Sequence, residues 1–169
     1  AKTIVFCEGF GVLQNPFFNY LPLNGTKGEL ITIHAPDLKL NQIIKSAVFV
    51  IPLGHDLYSV GSTYAWDDKT GLPTAGAREE LESKLKRFIT CDYKVVKHVA
   101  GIRPTVKDRR PLVGQHPKHE HLYILNGLGT RGVLIGPYVA LHLFNAIYKN
   151  SPLESELSID RFSALYQDL

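Results

Sequence analysis

The segment from Ala100 to Pro137 carries the residues of this chain best suited to bind a charged small molecule. Arg103 stands beside a proline near the end of a predicted strand, and a guanidinium can hold a carboxylate through two parallel hydrogen bonds. Further along, a predicted strand over Leu122–Asn126 leads through the glycine-rich turn Gly127–Gly132 into a predicted helix. The first amides and the dipole of such a helix attract an anionic or electron-rich ligand edge. This order of features predicts a ligand site, with the substrate held by one half and a cofactor by the other.

The same segment resembles the C-terminal signature of the FAD-dependent D-amino-acid oxidase, glycine oxidase and sarcosine oxidase superfamily. The matching pieces are GIRPT from Gly101, DRRPLVG from Asp108, Leu122-Tyr123, and GLGTRG from Gly127, with Pro137 one helical turn on. Looser similarity continues upstream in CEGFG, LNGTKGEL and YSVGSTYAW. The resemblance implies oxidation of an amine or amino acid that bears a carboxylate, with hydride passing from its α-carbon to N5 of FAD.

The resemblance also assigns roles to particular residues. Arg103 would pair with the substrate carboxylate, while Tyr64 and Trp66 would form aromatic walls that suit an amine by shape and by cation–π attraction. The expected cofactor contacts are Gly9, Gly127, Leu128, Gly129, Thr130, Arg131 and Gly132, and Arg131 also lies at the predicted substrate edge. No residue is assigned as a catalytic acid or base, and no metal is expected. Without the resemblance, Arg103 fits a surface salt bridge, the aromatic pair fits core packing, and the turn fits a connection that binds nothing.

The start of the chain lacks a unit that such enzymes need. They open with a strand, a GxGxxG turn and a helix that hold the FAD pyrophosphate, followed about 20 residues later by an acidic residue for the ribose. Here Gly9-Phe10-Gly11 is the early glycine pair, but Gln14 replaces the third glycine and Pro16 interrupts a following helix. We therefore expect a C-terminal fragment of a longer flavoprotein. Its partner would be the N-terminal FAD-binding part of the same protein, and alone it would hold FAD poorly and be inactive.

The elements that must position these residues predict an α+β fold, with a mixed, largely antiparallel sheet, flanking helices and remnants of an α/β FAD-binding domain. We expect residues 1–20 to be that remnant, 21–103 the substrate domain, and 104–169 the return segment with the flavin-facing turn. Helices are predicted over Ala77–Ile89, Gly132–Lys149 and Ile159–Gln167. Strands are predicted at Lys2–Cys7, Glu29–His34, Ala47–Pro52, Leu57–Tyr64, Tyr93–Ile102 and Leu122–Asn126.

Composition excludes several classes of protein. The 169 residues, 44% hydrophobic and 21% charged, are typical of a folded globular domain, and a net charge of +3 is too small for the dense basic face of a nucleic-acid binder. Cys7 and Cys91 lack a disulfide pattern, which favours reduced thiols in the cytoplasm. The uncharged run Val133–Tyr148 is shorter than the about 20 residues of a membrane span, so it predicts a buried helix.

Two polar clusters leave alternatives open. The HxxHxH run from His116 to His121 offers three imidazoles, but its proline and lysine favour a solvated connection over a zinc site. Lys107, Arg109 and Arg110 form a short basic turn that fits an exposed loop. GLGTRG also resembles the flavin domain of oxidoreductases that modify the tRNA wobble uridine, where this basic turn would meet RNA. A flavin-free binding or interaction module is the remaining alternative, in which Arg103 has no functional role.

Overall fold

The computed structural model describes residues 1–166, which form eight β-strands, two α-helices and two 3₁₀ helices. The chain divides into two compact units, residues 1–25 together with those from 103 onward (the first unit) and residues 26–102 (the second unit). The strands are β1 (Ile4–Phe6), β2 (Leu23–His34), β3 (Ile44–Lys45), β4 (Phe49–Gly54), β5 (Leu57–Gly61), β6 (Lys94–Val106), β7 (Leu112–Gln115) and β8 (Leu122–Asn126). The α-helices are α1 (Ala75–Leu85) and α2 (Gly132–Lys149), and the 3₁₀ helices cover Gly9–Gln14 and Ile159–Leu165.

The second unit is built on a five-stranded sheet in the order β3-β4-β5-β2-β6, in which the β3–β4, β4–β5 and β5–β2 pairs are antiparallel. Successive side chains of a strand point to opposite faces, and alternate residues of β2, Ile31 and Ile33, are fully buried on one face. They pack with Val60 of β5 and with Leu81 and Leu85 of α1 in one hydrophobic cluster. The amphipathic stripe of α1 therefore covers this face of the sheet.

Helix α1 differs at both ends from the predicted Ala77–Ile89. It begins at Ala75 because the Thr74 hydroxyl accepts a hydrogen bond from the Ala77 amide at 3.3 Å and caps the first turn. It ends at Leu85, where the chain continues through turns, yet Ile89 remains buried in the same core. The apolar spacing marked the residues that pack and overestimated the length of helix.

The first unit contains a three-stranded sheet in the order β1-β8-β7, with β1 and β8 parallel and β8 and β7 antiparallel. One cluster around Phe18, Leu112 and Ile124 fills its interior, and a second cluster joins Val113 of β7 to Val139 and Leu143 of α2. Helix α2 has the predicted bounds, Gly132–Lys149. Antiparallel pairs predominate over the two sheets, so the α+β class with a largely antiparallel sheet is confirmed.

One predicted strand, and the helix predicted to be buried, are exposed within residues 1–166. Strand β1 lies at the edge of its sheet and pairs with β8, which leaves Ile4 and Val5 partly exposed. Helix α2 buries Val139 and Leu143 but exposes an apolar face. This face consists of Val133, Leu134, Tyr138, Leu141, Phe144 and Tyr148. An apolar sequence pattern predicts a surface that is buried against another surface. Among the described residues, none covers these two apolar surfaces.

Other elements depart from expectation in extent. β2 starts at Leu23, six residues before the predicted strand, and β5 ends at Gly61 instead of Tyr64. β3 and β7 were not predicted. The third predicted helix is a 3₁₀ helix over Ile159–Leu165, and its predicted last residue, Gln167, lies outside the described residues. In the described part of the chain, no helix combines the length and the hydropathy needed to cross a bilayer.

Candidate functional site

The turn between β8 and α2 requires glycine at Gly127. Its φ of +71° lies in the left-handed region, and a Cβ there would approach the Val106 Cγ2 atom at 2.6 Å and the Leu112 Cγ atom at 3.0 Å. Gly129 also has a positive φ, +56°, but a Cβ there would meet no atom within 4 Å. Gly127 is therefore needed for packing, while the space beside the Gly129 Cα is empty.

The same turn has the GxGxxG spacing between a strand and a helix, at Gly127, Gly129 and Gly132. The pattern expected near residue 9 is thus found later in the chain, at a turn predicted only to be glycine-rich. In a dinucleotide fold the helix leads to a second strand whose acidic residue binds the ribose. Within residues 1–166 no strand follows α2. The turn therefore suits a planar ligand edge better than a complete pyrophosphate-binding unit.

The structure joins this turn to the strand that carries Arg103. The Gly129 amide donates a hydrogen bond of 3.0 Å to the carbonyl of Pro104, the residue after Arg103 in β6. Arg103 itself is half-buried. The two halves of the predicted ligand site are thus adjacent in the backbone of the first unit.

Asn126, which sequence reasoning missed, links the turn to Gly9. Its side-chain oxygen accepts a hydrogen bond of 2.8 Å from the Gly127 amide, and its Nδ2 donates one of 2.9 Å to the Gly9 carbonyl. Gly9 opens the 3₁₀ helix after β1 with a φ of +60° and nothing within 4 Å of its Cβ position. Asn126 is only 3% exposed. A polar residue ending the apolar strand LYIL, directly before glycine, was the available signal.

The remaining predicted residues of the turn have different environments. Leu128 is half-buried and packs against the cluster that holds α2. Thr130 is exposed. Arg131 precedes α2, and its Nη2 donates a hydrogen bond of 3.1 Å to the Arg109 carbonyl. Arg131 is therefore held by the β6–β7 turn, beside the start of the helix.

The β6–β7 turn is itself fixed by Arg161. The Arg161 guanidinium forms an ion pair with Asp108 at 2.9 Å and donates a hydrogen bond of 2.8 Å to the Pro111 carbonyl. Burial alone would raise the pKa of the Asp108 carboxyl, but the hydrogen bonds from Arg161 and the Arg110 amide outweigh it and lower that pKa. Lys107, Arg109 and Arg110 are exposed on the same turn.

The start of α2 is electropositive and open. No side chain caps it, and the amides of Gly132 and Val133 have no acceptor among the described residues. Val133 is 99% exposed. Because the dipole places partial positive charge at this end, the helix start favours a negatively charged or electron-rich group.

The aromatic pair predicted for the substrate walls lies in the second unit. Tyr64 is 59% exposed and Trp66 is 51% exposed, so neither is a core residue of the described structure. They lie on either side of Ala65, whose backbone forms an isolated antiparallel bridge with Lys27 of β2. The backbone that carries both rings is thereby attached to the sheet.

The histidine run is exposed from Pro117 to His121, as predicted for a solvated connection, but its first residue, His116, is buried. His116 is 5% exposed, its ring contacts those of Phe17 and Phe18, and its Nδ1 accepts hydrogen bonds from the Lys118 and His119 amides. Burial, together with the charge of His119, lowers the pKa of His116 below 6.5. Among residues 1–166 no three potential ligands are grouped to hold a metal ion. His116 organises a turn and fills the core.

Known proteins resemble this chain in sequence and in fold. Residues 1–146 match the family described as DAO, FAD dependent oxidoreductase. The chain is 28% identical over 134 residues to glycine oxidase of Bacillus subtilis (strain 168), an alignment that covers 75% of this chain and 36% of that protein.

Two further relatives extend the comparison. A tRNA 5-methylaminomethyl-2-thiouridine biosynthesis bifunctional protein, MnmC, of Aromatoleum aromaticum is 29% identical over 181 residues, covering 93% of this chain and 28% of that protein. The crystal structure of glycine oxidase from Geobacillus kaustophilus superposes on the whole chain with a TM-score of 0.74, at 22% identity and over 46% of its own length. The chain therefore spans less than half of each of these relatives. The family match over residues 1–146 establishes that the chain belongs to the DAO family of FAD dependent oxidoreductases.

Proposed function

We propose that this chain forms the C-terminal part of a longer FAD-dependent oxidoreductase, termed here the intact protein, which oxidises the C–N bond of an amino acid or secondary amine. One observation carries the proposal. The hydrogen bond from the Gly129 amide to the Pro104 carbonyl holds the glycine turn against the strand of Arg103. Arg103, the proposed carboxylate-binding cation, and the open, electropositive start of α2 would then lie side by side, as a substrate site next to a cofactor requires.

The residues of the chain have separate tasks in this proposal. Arg103 binds the substrate carboxylate and fixes the α-carbon, because its planar fork allows little rotation of the bound group. The backbone of Gly127–Gly132 and the amides that open α2 would hold the electron-rich edge of the flavin, and their partial positive charge would stabilise negative charge there. Tyr64 and Trp66 provide apolar walls for the amine. FAD, when bound, supplies the two-electron acceptor for the oxidation.

The described residues fit one end of FAD. Gly9 and Gly129 each leave space where a side chain would stand, as close approach of a planar ring demands. A pyrophosphate-binding unit is not found among residues 1–166. We propose that the N-terminal part of the intact protein supplies it and covers the edge of β1 and the exposed face of α2. The chain alone would then retain FAD poorly and be inactive.

The test is oxidation of a panel of amines by the intact protein, followed by flavin absorbance and by the consumption of oxygen or of an artificial acceptor. We expect turnover of a substrate with a carboxylate next to the amine carbon. Arg103→Met should raise KM for that substrate at least about tenfold, since a hydrogen bond between charged groups contributes about 1.5–3 kcal/mol. Arg87→Met, at an exposed arginine just after α1, is the matched control and should leave KM unchanged. Equal effects of the two variants would contradict the role of Arg103.

A second candidate is the modification of a carboxymethylaminomethyl group on tRNA. The similarity to MnmC over 93% of this chain favours it, as does the exposed basic turn at Lys107–Arg110. It requires binding of tRNA by the intact protein that weakens steeply with salt, and weaker binding in Arg109→Met. Unaltered tRNA affinity in that variant, or no tRNA binding at low salt, would exclude this second candidate and favour the oxidation of a small molecule.

A further inference from the structure

A buried charged pair stands on the core-facing side of β2. Lys27 and Glu29 are 1% and 3% exposed, and they alternate on the strand with the spacing of Ile31 and Ile33, which are fully buried. Residues two apart share a face of a strand. One face of β2 therefore changes from two charges to the apolar core of the second unit within a few residues.

Both charges are directed at the segment that follows the aromatic pair. The Lys27 ammonium forms an ion pair with Asp68 at 2.5 Å and donates hydrogen bonds to the Leu72 carbonyl at 2.5 Å and to the Thr70 hydroxyl at 3.3 Å. The hydrogen bond from Lys27 lowers the pKa of Asp68, and the same bond raises the pKa of Lys27. Both groups are thus charged at neutral pH.

Glu29 attaches the other end of the segment. Its carboxylate accepts a hydrogen bond of 2.8 Å from the Thr74 amide and one of 2.9 Å from the Thr74 hydroxyl, and it lies 2.8 Å from Nε2 of His98. The main chain of Lys27 meanwhile pairs with Ala65, between Tyr64 and Trp66. Two neighbouring residues of β2 therefore hold residues 63–74 at several points.

A buried ion pair contributes little net stability, because desolvation offsets most of the attraction between the charges. Two apolar residues at these positions would also be buried, but they could not form the hydrogen bonds that hold residues 63–74 in one conformation. What Lys27 adds is a fixed geometry for the chain that carries Tyr64 and Trp66, both of which remain half exposed at its start.

We propose that Lys27, through Asp68, is a positioning residue that fixes Tyr64 and Trp66 as the aromatic wall for the amine substrate. The inference rests on the proposed function, since it deepens the role given there to the two aromatic residues. It assigns a purpose to a charged pair that the candidate site does not otherwise use.

The test compares two variants that break the contact with one that does not. Asp68→Asn keeps the shape of the side chain and removes its charge at a position that is 34% exposed, so folding is preserved. Lys27→Met removes the ammonium. Asp67→Asn is the matched control, because Asp67 is exposed and, within residues 1–166, takes part in no ion pair or hydrogen bond.

Two measurements on the intact protein separate positioning from the proposed activity. Incorporation of 5-fluorotryptophan gives a ¹⁹F resonance for Trp66, assigned by its loss in Trp66→Phe. We expect Asp68→Asn and Lys27→Met to shift and broaden this resonance and to raise KM for the amine about tenfold, with kcat within about twofold, which corresponds to loss of a well-placed cation–π contact. Asp67→Asn should change neither quantity.

Each outcome has one meaning. An unchanged Trp66 resonance in Asp68→Asn overturns the positioning role, whether or not the protein oxidises amines. A changed resonance with unchanged KM upholds the attachment by Lys27 but overturns the placement of Tyr64 and Trp66 in the substrate site. If the Lys27→Met variant does not fold, the Asp68→Asn variant alone tests the positioning role.

Discussion

Replacing Gly127 and Gly129 separately by alanine distinguishes glycine needed for packing from glycine needed for a ligand. At Gly127 the new Cβ would lie 2.6 Å from Val106 Cγ2 and 3.0 Å from Leu112 Cγ, in a left-handed conformation. The left-handed backbone costs an alanine roughly 1–2 kcal/mol, and overpacking of a core adds about 1–3 kcal/mol. Gly127→Ala should therefore lower the free energy of unfolding by about 2–5 kcal/mol.

Gly129→Ala has the same type of backbone strain but no steric clash, since its Cβ would meet no atom within 4 Å. We expect a loss of only about 1–2 kcal/mol in the free energy of unfolding. If the flavin binds against this turn as proposed, the Cβ would occupy part of its space, so the intact protein with Gly129→Ala should retain less FAD than its small loss of stability explains.

Urea unfolding followed by circular dichroism measures the stability of both variants, and flavin absorbance of the intact protein after gel filtration measures its retention of FAD. Equal destabilisation by the two substitutions would refute the packing argument for Gly127. Full retention of FAD by Gly129→Ala would refute the placement of the ring against this turn.

Three other predictions follow from contacts in the first unit. Asn126→Ala leaves the Gly127 amide and the Gly9 carbonyl without their partner, so urea unfolding should show a loss of about 2–4 kcal/mol. Burial keeps His116 neutral and lowers its pKa, so its contribution to stability is complete above pH 6.5 and declines as the pH falls below that value. An NMR titration of His116 should give a midpoint below 6.5. A normal or raised midpoint would contradict burial as the cause. Arg161→Ala should lower the free energy of unfolding by about 2 kcal/mol, and Arg161→Lys should lower it nearly as much, because lysine lacks the planar fork. If the lysine variant is as stable as the original protein, the positive charge alone is sufficient.

The sequence predicted elements whose pattern is local and long. Helix α2 was predicted with its observed bounds because a glycine turn opens it and an uncharged run fills it. Strand β8 was found for similar reasons, since β-branched and aromatic residues stand between polar ends. The short strands β3 and β7 were missed because two and four residues carry too little pattern to count as strands.

The sequence predicted which chain segments form the candidate site, but it did not predict the side-chain contacts that hold them in place. The motif placed Arg103 and the glycines in order along the chain, and the Gly129–Pro104 hydrogen bond joins the two stretches. Asn126 and Lys27 were missed because each looks ordinary in its own stretch, and their contacts are made with residues distant in sequence. Exposure of the α2 face was also missed, since an apolar pattern does not say what covers it.

The parallel pairing of β1 with β8 has a consequence for how this chain folds during synthesis. Ile4 pairs with Leu122, and the whole second unit lies between them in the sequence. Contacts between residues so distant form slowly, because a long loop must close first, and domains fold as they emerge from the ribosome. We expect residues 26–102 to fold as a contiguous unit while β1 has not yet paired with β8. When residues 26–102 have left the ribosome and Leu122 is still inside its exit tunnel, the second unit should therefore resist protease while β1 is cleaved.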